Sequence, residues 1–116
     1  MNVEAGQVLT KKGLVQQELF VIIDGRYEVH DETRRLRVVG PGEVVGEIGF
    51  FSSARRRSAT IRAATEGQVL VVRRRWLDDM RESDPRAAAD VLFQLARALA
   101  DRVNSHERVS GHDHWW

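Results

Sequence analysis

The chain has 116 residues, of which 42% are hydrophobic and 30% are charged, a size and composition that suit one soluble globular domain. Its formal net charge of +1 gives no general electrostatic attraction to nucleic acid or to an anionic membrane, and the lack of cysteine excludes disulfides and thiolate chemistry. No apolar run approaches the ~20 residues that a membrane helix needs, and no secretory leader precedes Val3. We therefore expect a cytoplasmic protein without membrane insertion.

Short runs of β-forming residues, separated by glycine-containing turns, occupy the first two-thirds of the chain. Six strands are predicted, at Gln7–Thr10, Glu18–Asp24, Arg26–Asp31, Leu36–Val39, Ala59–Ala64 and Gln68–Arg73. Asp24 and Gly25 are a strong hairpin signal between the second and third strands, because a tight hairpin turn needs residues that accept positive φ. Many short strands with regular turns predict a sandwich or barrel rather than a sheet built of βαβ units.

The last third of the chain changes to a helical period. A short helix is predicted over Arg74–Arg81, and Ser83-Asp84-Pro85 offers a capping side chain and a first-turn proline for a longer helix that runs to about Glu107. Apolar residues recur along this second helix at steps of three and four, at Ala88, Leu92, Leu95, Leu99 and Val103. Such a stripe either covers the barrel or pairs with a second copy of the chain. The predicted organisation is a β-barrel unit in residues 1–82, a helix in 83–109 and a tail in 110–116.

The segment from Gly40 to Ala64 contains residue types that suit a sugar and a phosphate. Its Gly46–Phe51 portion is predicted to form one short helical turn, where glycine lets free backbone N–H groups approach an anion closely. The arginine-rich loop that follows offers a planar pair of donors for two phosphate oxygens. A glutamate beside an anion site is suited to accept a hydrogen bond from a hydroxyl, such as a ribose 2′-OH. Together, these residue types favour a ribose-phosphate ligand over a bare anion.

Two short motifs in this segment, Gly46-Glu47-Ile48 and Arg57-Ser58-Ala59-Thr60-Ile61, resemble the phosphate-binding cassette of cyclic nucleotide-binding domains. That family includes the catabolite activator protein and the regulatory subunits of cyclic-AMP-dependent kinase. Leu19–Gly25 resembles the family's strand and glycine turn, and Gly40-Pro41-Gly42 resembles its turn before the cassette. The resemblance implies a mainly β fold with C-terminal α-helices: a jelly-roll (double-stranded β-helix) barrel, with the cassette at about residues 40–61, followed by a short and a long helix.

The resemblance also implies a function and a role for each cassette residue. The chain is expected to be a regulatory module that binds cyclic AMP or cyclic GMP, performs no chemistry on it and transmits its occupancy through the C-terminal helix. Glu47 is expected to accept a hydrogen bond from the ribose 2′-hydroxyl, with Gly46 shaping the turn beneath it, while Arg57 pairs with the cyclic phosphate. The candidate binding residues are Gly46, Glu47, Ile48, Gly49, Arg57, Ser58, Ala59 and Thr60.

The base is expected to lie against apolar barrel residues such as Ile61, beneath a lid from the long helix near Arg102–Ser105. Nothing in the motif distinguishes cyclic AMP from cyclic GMP, so both remain alternatives. The sequence departs from the family's pattern at Arg56, where proline is usual, and at Val45, where an aromatic residue is common. No helix-turn-helix motif follows the long helix, and we expect no direct DNA binding by this chain.

Two alternatives to a ligand-binding module stay open. A cupin-type metalloenzyme has a barrel of similar size, but the barrel segment here offers one histidine, His30, and the other histidines lie near the chain's end, so no metal site is expected. A barrel that has lost its ligand and acts as an interaction or dimerisation module is the second alternative. The expected partners are a larger protein or fused domain that the module regulates, and a second copy bound through Leu92, Leu95, Leu99 and Val103.

Overall fold

Two four-stranded antiparallel sheets form the body of the molecule in the computed structural model, which describes residues 1–10, 17–31, 34–51 and 59–110. The elements in chain order are β1 (Asn2–Val3), β2 (Val8–Thr10), β3 (Glu18–Asp24), β4 (Tyr27–Asp31), β5 (Arg34–Val39), β6 (Val44–Val45), α1 (Glu47–Phe51), β7 (Thr60–Ala63), β8 (Gly67–Arg73), α2 (Arg74–Ser83) and α3 (Pro85–Ser110). The strand orders are β1-β8-β3-β6 and β2-β7-β4-β5. This is the predicted jelly roll, followed by a short and a long helix.

The corner between β3 and β4 corrects one prediction. Asp24 and Gly25 do not close a hairpin, because β3 pairs with β6 and β8 while β4 pairs with β5 and β7. Gly25 has a φ of 97°, and a Cβ atom there would lie 2.8 Å from the Glu66 carbonyl oxygen. The dipeptide therefore makes the positive-φ turn that its residues favour, but the turn carries the chain from one sheet to the facing sheet.

Two apolar layers hold the elements together. The inner layer lies between the two sheets and contains Val3, Phe20, Ile22, Tyr27, Val29, Val39, Val45, Ala59, Ile61, Ala63 and Val69. The outer layer packs α1, α2 and α3 against the sheet that contains β3, through Leu19, Val44, Phe50, Val72, Leu77, Ala88 and Leu95. Strand β3 contributes to both layers because successive side chains of a strand point to opposite faces. Among the described residues, the helices thus pack on the sheet that contains β3.

The long helix uses its apolar stripe within the chain. Ala88 and Leu95 are buried in the outer layer, and Leu92 and Leu99 are half-buried against it, so the stripe covers the chain's own barrel. The predicted dimer surface is therefore wrong for Leu95, which packs inside its own subunit, while the side chain of Val103 lies outside the described residues. Helix α3 starts at Pro85 as predicted and continues to Ser110. The rest of the predicted tail, residues 111–116, also lies outside the described residues.

Candidate ligand site at the mouth of the barrel

Helix α1 places Glu47 at the rim of the barrel. Gly46 has a φ of 83°, a conformation that side-chain-bearing residues rarely adopt, and this lets the chain pass from β6 into α1 within one residue. The Phe50 N–H donates to the Gly46 carbonyl oxygen at 3.2 Å, and the Phe50 ring is fully buried in the outer apolar layer. The helix is therefore anchored through Phe50, and Glu47 occupies its first turn.

The carboxylate of Glu47 is bound by the long helix. Glu47 Oε1 lies 2.8 Å from Arg102 Nη2, and the two side chains are only 12% and 22% exposed, respectively. Arg102 Nη1 also donates to the Val44 carbonyl oxygen at 3.0 Å. One guanidinium thus joins α3 to both β6 and α1. Since both charges are largely removed from water, the loss of either partner would leave the other poorly solvated.

A row of inward-facing residues crosses the sheet below this ion pair. Val29 of β4 pairs with Ile61 of β7 on one side and with Arg37 of β5 on the other. Residues that pair directly across antiparallel strands point to the same face of a sheet, and Val29 and Ile61 are buried in the inner layer. Arg37 therefore points toward the barrel interior, in line with its strand neighbour Val39, which is also buried there.

The surroundings of Arg37 connect it electrostatically to the ion pair. Burial lowers the pKa of Arg37, and the positive charge of Arg102 lowers it further, whereas the carboxylates of Glu47 and Glu43 oppose this by raising it. Glu43 is itself engaged in the turn before β6, where its Oε2 accepts a hydrogen bond from the Gly40 N–H at 2.6 Å. Two guanidinium groups and two carboxylates are thus close enough to influence one another at the barrel mouth.

A cleft of about 400 Å³ lies between the Gly40–Glu43 turn and α3, and Arg102 forms part of its wall. Its other lining residues include Arg26, Val39 and Asp101. None of the described candidate binding residues, from Gly46 to Gly49 and at Ala59 and Thr60, lines this cleft, although Glu43 and Arg102 border both the cleft and the surroundings of Arg37. The cleft is therefore next to the predicted site and does not coincide with it.

The predicted binding residues fall into three groups in the structure. Gly46, Glu47, Ile48 and Gly49 lie together at the end of β6 and in α1, and Ala59 and Thr60 lie at the start of β7. Ala59 is buried, and Thr60 pairs with His30 of β4. Arg57 and Ser58 lie outside the described residues. The role of each of these residues toward a ligand stays a prediction.

Sequence analysis did not identify Arg37 or Glu43 as part of the site. Neither belongs to the two short motifs that carry the family resemblance, and each is a single charged residue among many in a chain that has 18 basic and 17 acidic side chains. Arg102 differs from these two residues, because it is the first residue of the segment Arg102–Ser105 in which a lid was predicted. The lid itself stays a prediction, and the structure adds the contact of Arg102 with Glu47.

Two further observations concern a metal site and a membrane-spanning helix. His30 Nε2 lies 3.0 Å from Glu28 Oε1, and within the described ranges no group of three or more histidine, cysteine or acidic side chains is arranged to hold a metal ion. None of the helices in that part of the chain is long and apolar enough to cross a membrane.

Comparison with known proteins defines the class. The sequence profile of the cyclic nucleotide-binding domain matches residues 1–84, and the chain belongs to this family. The predicted resemblance is thereby confirmed. Among solved structures, the chain is similar to a cyclic nucleotide-binding domain from Methylobacillus flagellatus KT, with a TM-score of 0.82, 20% identity, and coverage of 99% of this chain and 68% of that one.

The relatives in sequence are longer proteins. The chain is 26% identical over 103 residues to the Pycsar effector protein BcPycTIR of Burkholderia cepacia, which covers 89% of this chain and 33% of the relative. It is 27% identical over 118 residues to the lysophospholipase NTE1 of Cryptococcus neoformans var. neoformans, which covers 95% of this chain and 7% of that protein. The chain thus spans a third or less of the length of these relatives.

Proposed function

We propose that this chain is a regulatory module that binds a cyclic nucleotide monophosphate at the mouth of its barrel and transmits ligand occupancy through α3. In this proposal the module acts in the cytoplasm and performs no chemistry on the ligand. Glu47 accepts a hydrogen bond from the ribose 2′-hydroxyl, and Arg57 pairs with the cyclic phosphate. The other cassette residues, Gly46, Ile48, Gly49, Ser58, Ala59 and Thr60, complete the cradle. Membership of the cyclic nucleotide-binding domain family supports the ligand class.

The observation that carries the proposal is the ion pair between Glu47 and Arg102. The carboxylate proposed to bind the sugar is the same group that holds the long helix, at 2.8 Å. A hydroxyl donor that reaches Glu47 must share this carboxylate with Arg102 or displace Arg102 from it. A ligand shifts a conformational equilibrium only by its difference in affinity for the two states, and a shared carboxylate supplies such a difference. Ligand binding and helix position are therefore coupled through one side chain.

Calorimetric titration of the chain with cyclic AMP and with cyclic GMP tests the ligand class. We expect saturable binding, and we expect Arg57→Ala to weaken it about 10- to 150-fold, the range for loss of a hydrogen bond to a charged group. Arg62→Ala is the matched control, because Arg62 is exposed on β7. A folded chain that binds neither cyclic nucleotide would overturn the proposal.

Transmission through α3 requires a separate measurement, namely amide hydrogen exchange of α3 with and without ligand. We expect the ligand to change the exchange of α3 in the unmodified chain but not in Arg102→Ala, which lacks the contact with Glu47. Arg97→Ala removes an exposed arginine from the same helix and is expected to respond as the unmodified chain does. An unchanged response in Arg102→Ala would show that this ion pair does not carry the signal.

The same ion pair also favours a second candidate function. Arg102 pairs with the Glu47 carboxylate from within the chain, as expected of a barrel that serves as an interaction module and has lost its nucleotide. That candidate predicts a folded chain whose thermal unfolding temperature does not respond to cyclic nucleotides. The regulatory module predicts a rise in the unfolding temperature, because a ligand that binds only the folded state stabilises it by mass action.

The size of the relatives supports a regulated partner. The chain covers 33% of BcPycTIR and 7% of NTE1, so similar modules occur within much longer proteins. We propose that this module likewise regulates a larger protein or a fused domain, which senses the position of α3.

A further inference from the structure

We propose that the unpaired edge of β8 is a docking groove for the C-terminal tail, residues 111–116, of a second copy of the chain. The tail adds to the sheet as a short strand and places its two tryptophans, Trp115 and Trp116, on the apolar surface of the groove. This interaction surface lies outside the candidate nucleotide site and does not depend on the proposed function.

Strand β8 is paired along only part of its outer edge. There β1 pairs with Gly67 and Gln68, and Met1 and Val69 exchange two backbone hydrogen bonds, at 2.8 and 3.0 Å. Backbone groups that point to the same neighbouring strand recur at every second residue, so the N–H and C=O of Val71 point to this edge as well. Among the described residues, no strand lies beside β8 beyond Met1. Val71 therefore offers one donor and one acceptor to an added strand.

A groove of about 260 Å³ follows this open edge, lined by Leu70, Val71, Val72, Arg73 and Trp76. Four of these residues are consecutive in β8. Since successive side chains of a strand point to opposite faces, the backbone edge itself must form part of the wall. Leu70 and Trp76 are 54% and 48% exposed, so the groove also presents apolar surface to water. An extended peptide suits such a groove, because its backbone pairs with the edge while its side chains cover the apolar surface.

The tail matches the charge and the apolar character of the groove in a single register. Asp113 and Trp116 are three residues apart, as are Leu70 and Arg73. An antiparallel strand, which continues the direction of β1, puts Asp113 opposite Arg73 and Trp116 opposite Leu70. Arg73 uses its Nε for Glu18, at 3.0 Å, which leaves its terminal amino groups for the second carboxylate. Opposite charges and aromatic–apolar pairs directly across two strands both stabilise a sheet.

The same register puts Trp115 opposite Val71. Because both backbone groups of Val71 point to the open edge, these two residues exchange two hydrogen bonds. Trp116 lies on the outer face of the sheet, the face on which Trp76 borders the groove. Aromatic pairs in offset or edge-to-face contact stabilise an interface beyond the area they bury. The docked tail thus gains backbone pairing, an ion pair and aromatic packing together.

The path of α3 makes a second copy the source of the tail. Ala88, early in the helix, packs with Leu77 of α2, which follows β8 directly, whereas Arg102 binds the Val44 carbonyl oxygen of β6. Helix α3 thus crosses the sheet toward β6, at the opposite edge from β1, and continues for about 12 Å to Ser110. A return to its own groove adds about 14 Å, for three strand spacings, to this distance. Six extended residues span only about 20 Å.

Titration of the full chain with a synthetic peptide of residues 110–116 tests the groove directly. We expect saturable binding that slows hydrogen exchange of the Val71 amide. A peptide with serine in place of both tryptophans should bind at least about tenfold more weakly, as expected for loss of aromatic anchors. Trp76→Ser in the chain should weaken binding similarly. Phe93→Ser is the matched control, because it removes an exposed aromatic residue of α3, outside the groove, and should leave peptide binding unchanged.

The full chain without peptide provides an independent measurement. Hydrogen exchange of the Val71 amide should become slower as the chain concentration rises, because docking occurs between copies. This dependence should disappear when Trp115 and Trp116 are both replaced by serine. Asp113→Arg should also remove it, and the further substitution Arg73→Asp should restore part of it, because the reversed charges attract each other again.

Three results would overturn the proposal. The first is a chain that is folded by circular dichroism and does not bind the peptide. The second is equal binding of the peptide with tryptophan and the peptide with serine, a comparison that stays valid even if Trp76→Ser fails to fold. The third is slow exchange of Val71 that depends on the two tail tryptophans but not on the chain concentration. That result would assign the groove to the tail of the same chain and overturn docking between copies.

Discussion

Tyr27 is the one tyrosine of the chain, and its side chain is fully buried between the two sheets. Its hydroxyl donates to the Asp24 carbonyl oxygen at 2.9 Å, which ties the start of β4 to the corner at Gly25. Burial raises the pKa of Tyr27, and the negative charge of Asp24 raises it further. The folded protein therefore keeps the phenol protonated at pH values where the unfolded chain begins to lose that proton.

This pKa shift predicts a loss of stability at alkaline pH. The stabilisation is fully present below about pH 10, the ordinary pKa of tyrosine, and declines as pH rises toward the folded-state value, because the unfolded state then binds fewer protons. Urea unfolding of the chain and of Tyr27→Phe at increasing pH measures the effect. We expect Tyr27→Phe to be ~1 kcal/mol less stable at neutral pH through the lost hydrogen bond, with a flatter decline above pH ~10. Equal slopes for the two proteins would contradict this assignment.

The polarity of the β5 residues could not predict which of their side chains face the barrel interior. Val38 is 47% exposed and Arg37 points inward, the reverse of what a pattern of apolar-in and polar-out residues indicates. The cause lies on the neighbouring strand, where Tyr27 pairs with Val39 and both are buried. That pairing fixes the register, and a strand's side chains alternate strictly, so Arg37 must share the inward face with Val39.

At the scale of elements, Arg74 joins the cassette helix to the first C-terminal helix. Its Nη1 donates to the Phe50 carbonyl oxygen at 3.0 Å, near the end of α1, and its Nε lies 3.1 Å from Asp78 Oδ1 within α2. The guanidinium carbon is also 5.9 Å from the centre of the Phe50 ring. A carbonyl at the end of a short helix has no partner within that helix, and Arg74 supplies one. Helices α1 and α2 are thus linked by one side chain.

We expect Arg74→Ala to lower the free energy of unfolding by ~1 kcal/mol, since it removes a charged donor that is partly exposed to water. Hydrogen exchange should also become faster in α1, which loses its tie to α2. Arg75→Ala is the matched control, because Arg75 is exposed on the next position of the same helix. Denaturant unfolding and hydrogen exchange of both variants test this link, and similar behaviour of the two would argue against it.

Most strands and helices were predictable because apolar residues recur along them at regular intervals. Glu18–Asp24 formed as predicted, and the other five predicted strands appear with ends shifted by one or two residues. The strands β1 and β6 were missed, since two residues show no alternation and exist as strands only through pairing with β8 and β3. The positive-φ turn at Gly25 was predicted correctly, but the pairing of the two strands that flank it was not. A local turn signal does not specify which strands will pair.

At the scale of the whole molecule, the outward face of α3 is the surface that we propose for association of the chain with a second copy. Phe93 is 63% exposed, and Ala89, Ala96 and Ala100 lie on the same exposed side at steps of three and four residues. We expect this face to serve in place of Leu95, because Leu95 is enclosed within the outer apolar layer. A homodimer through α3 stays a proposal, and Phe93 is the residue through which we expect it to form.

Sedimentation analysis at increasing concentration, combined with urea unfolding, distinguishes the roles of the two faces of α3. We expect Phe93→Ser to weaken self-association with little effect on the unfolding of the monomer. Leu95→Ala should instead lower the free energy of unfolding by ~2–5 kcal/mol, as expected for truncation of a buried leucine. A chain that sediments as a monomer at all concentrations, or a dimer that Phe93→Ser leaves unchanged, would contradict this surface.

The proposed sharing of the Glu47 carboxylate between Arg102 and a sugar hydroxyl has a consequence for the protein in which such a module resides. Binding free energies are reciprocal between coupled sites, so whatever restrains α3 also alters the nucleotide concentration at which the pocket fills. Under the proposed function, a neighbouring domain that pulls Arg102 away from Glu47 would release the acceptor that we assign to the sugar and make the module respond to less ligand. The dose at which such a sensor switches would then be set jointly by the pocket and by the domain it controls.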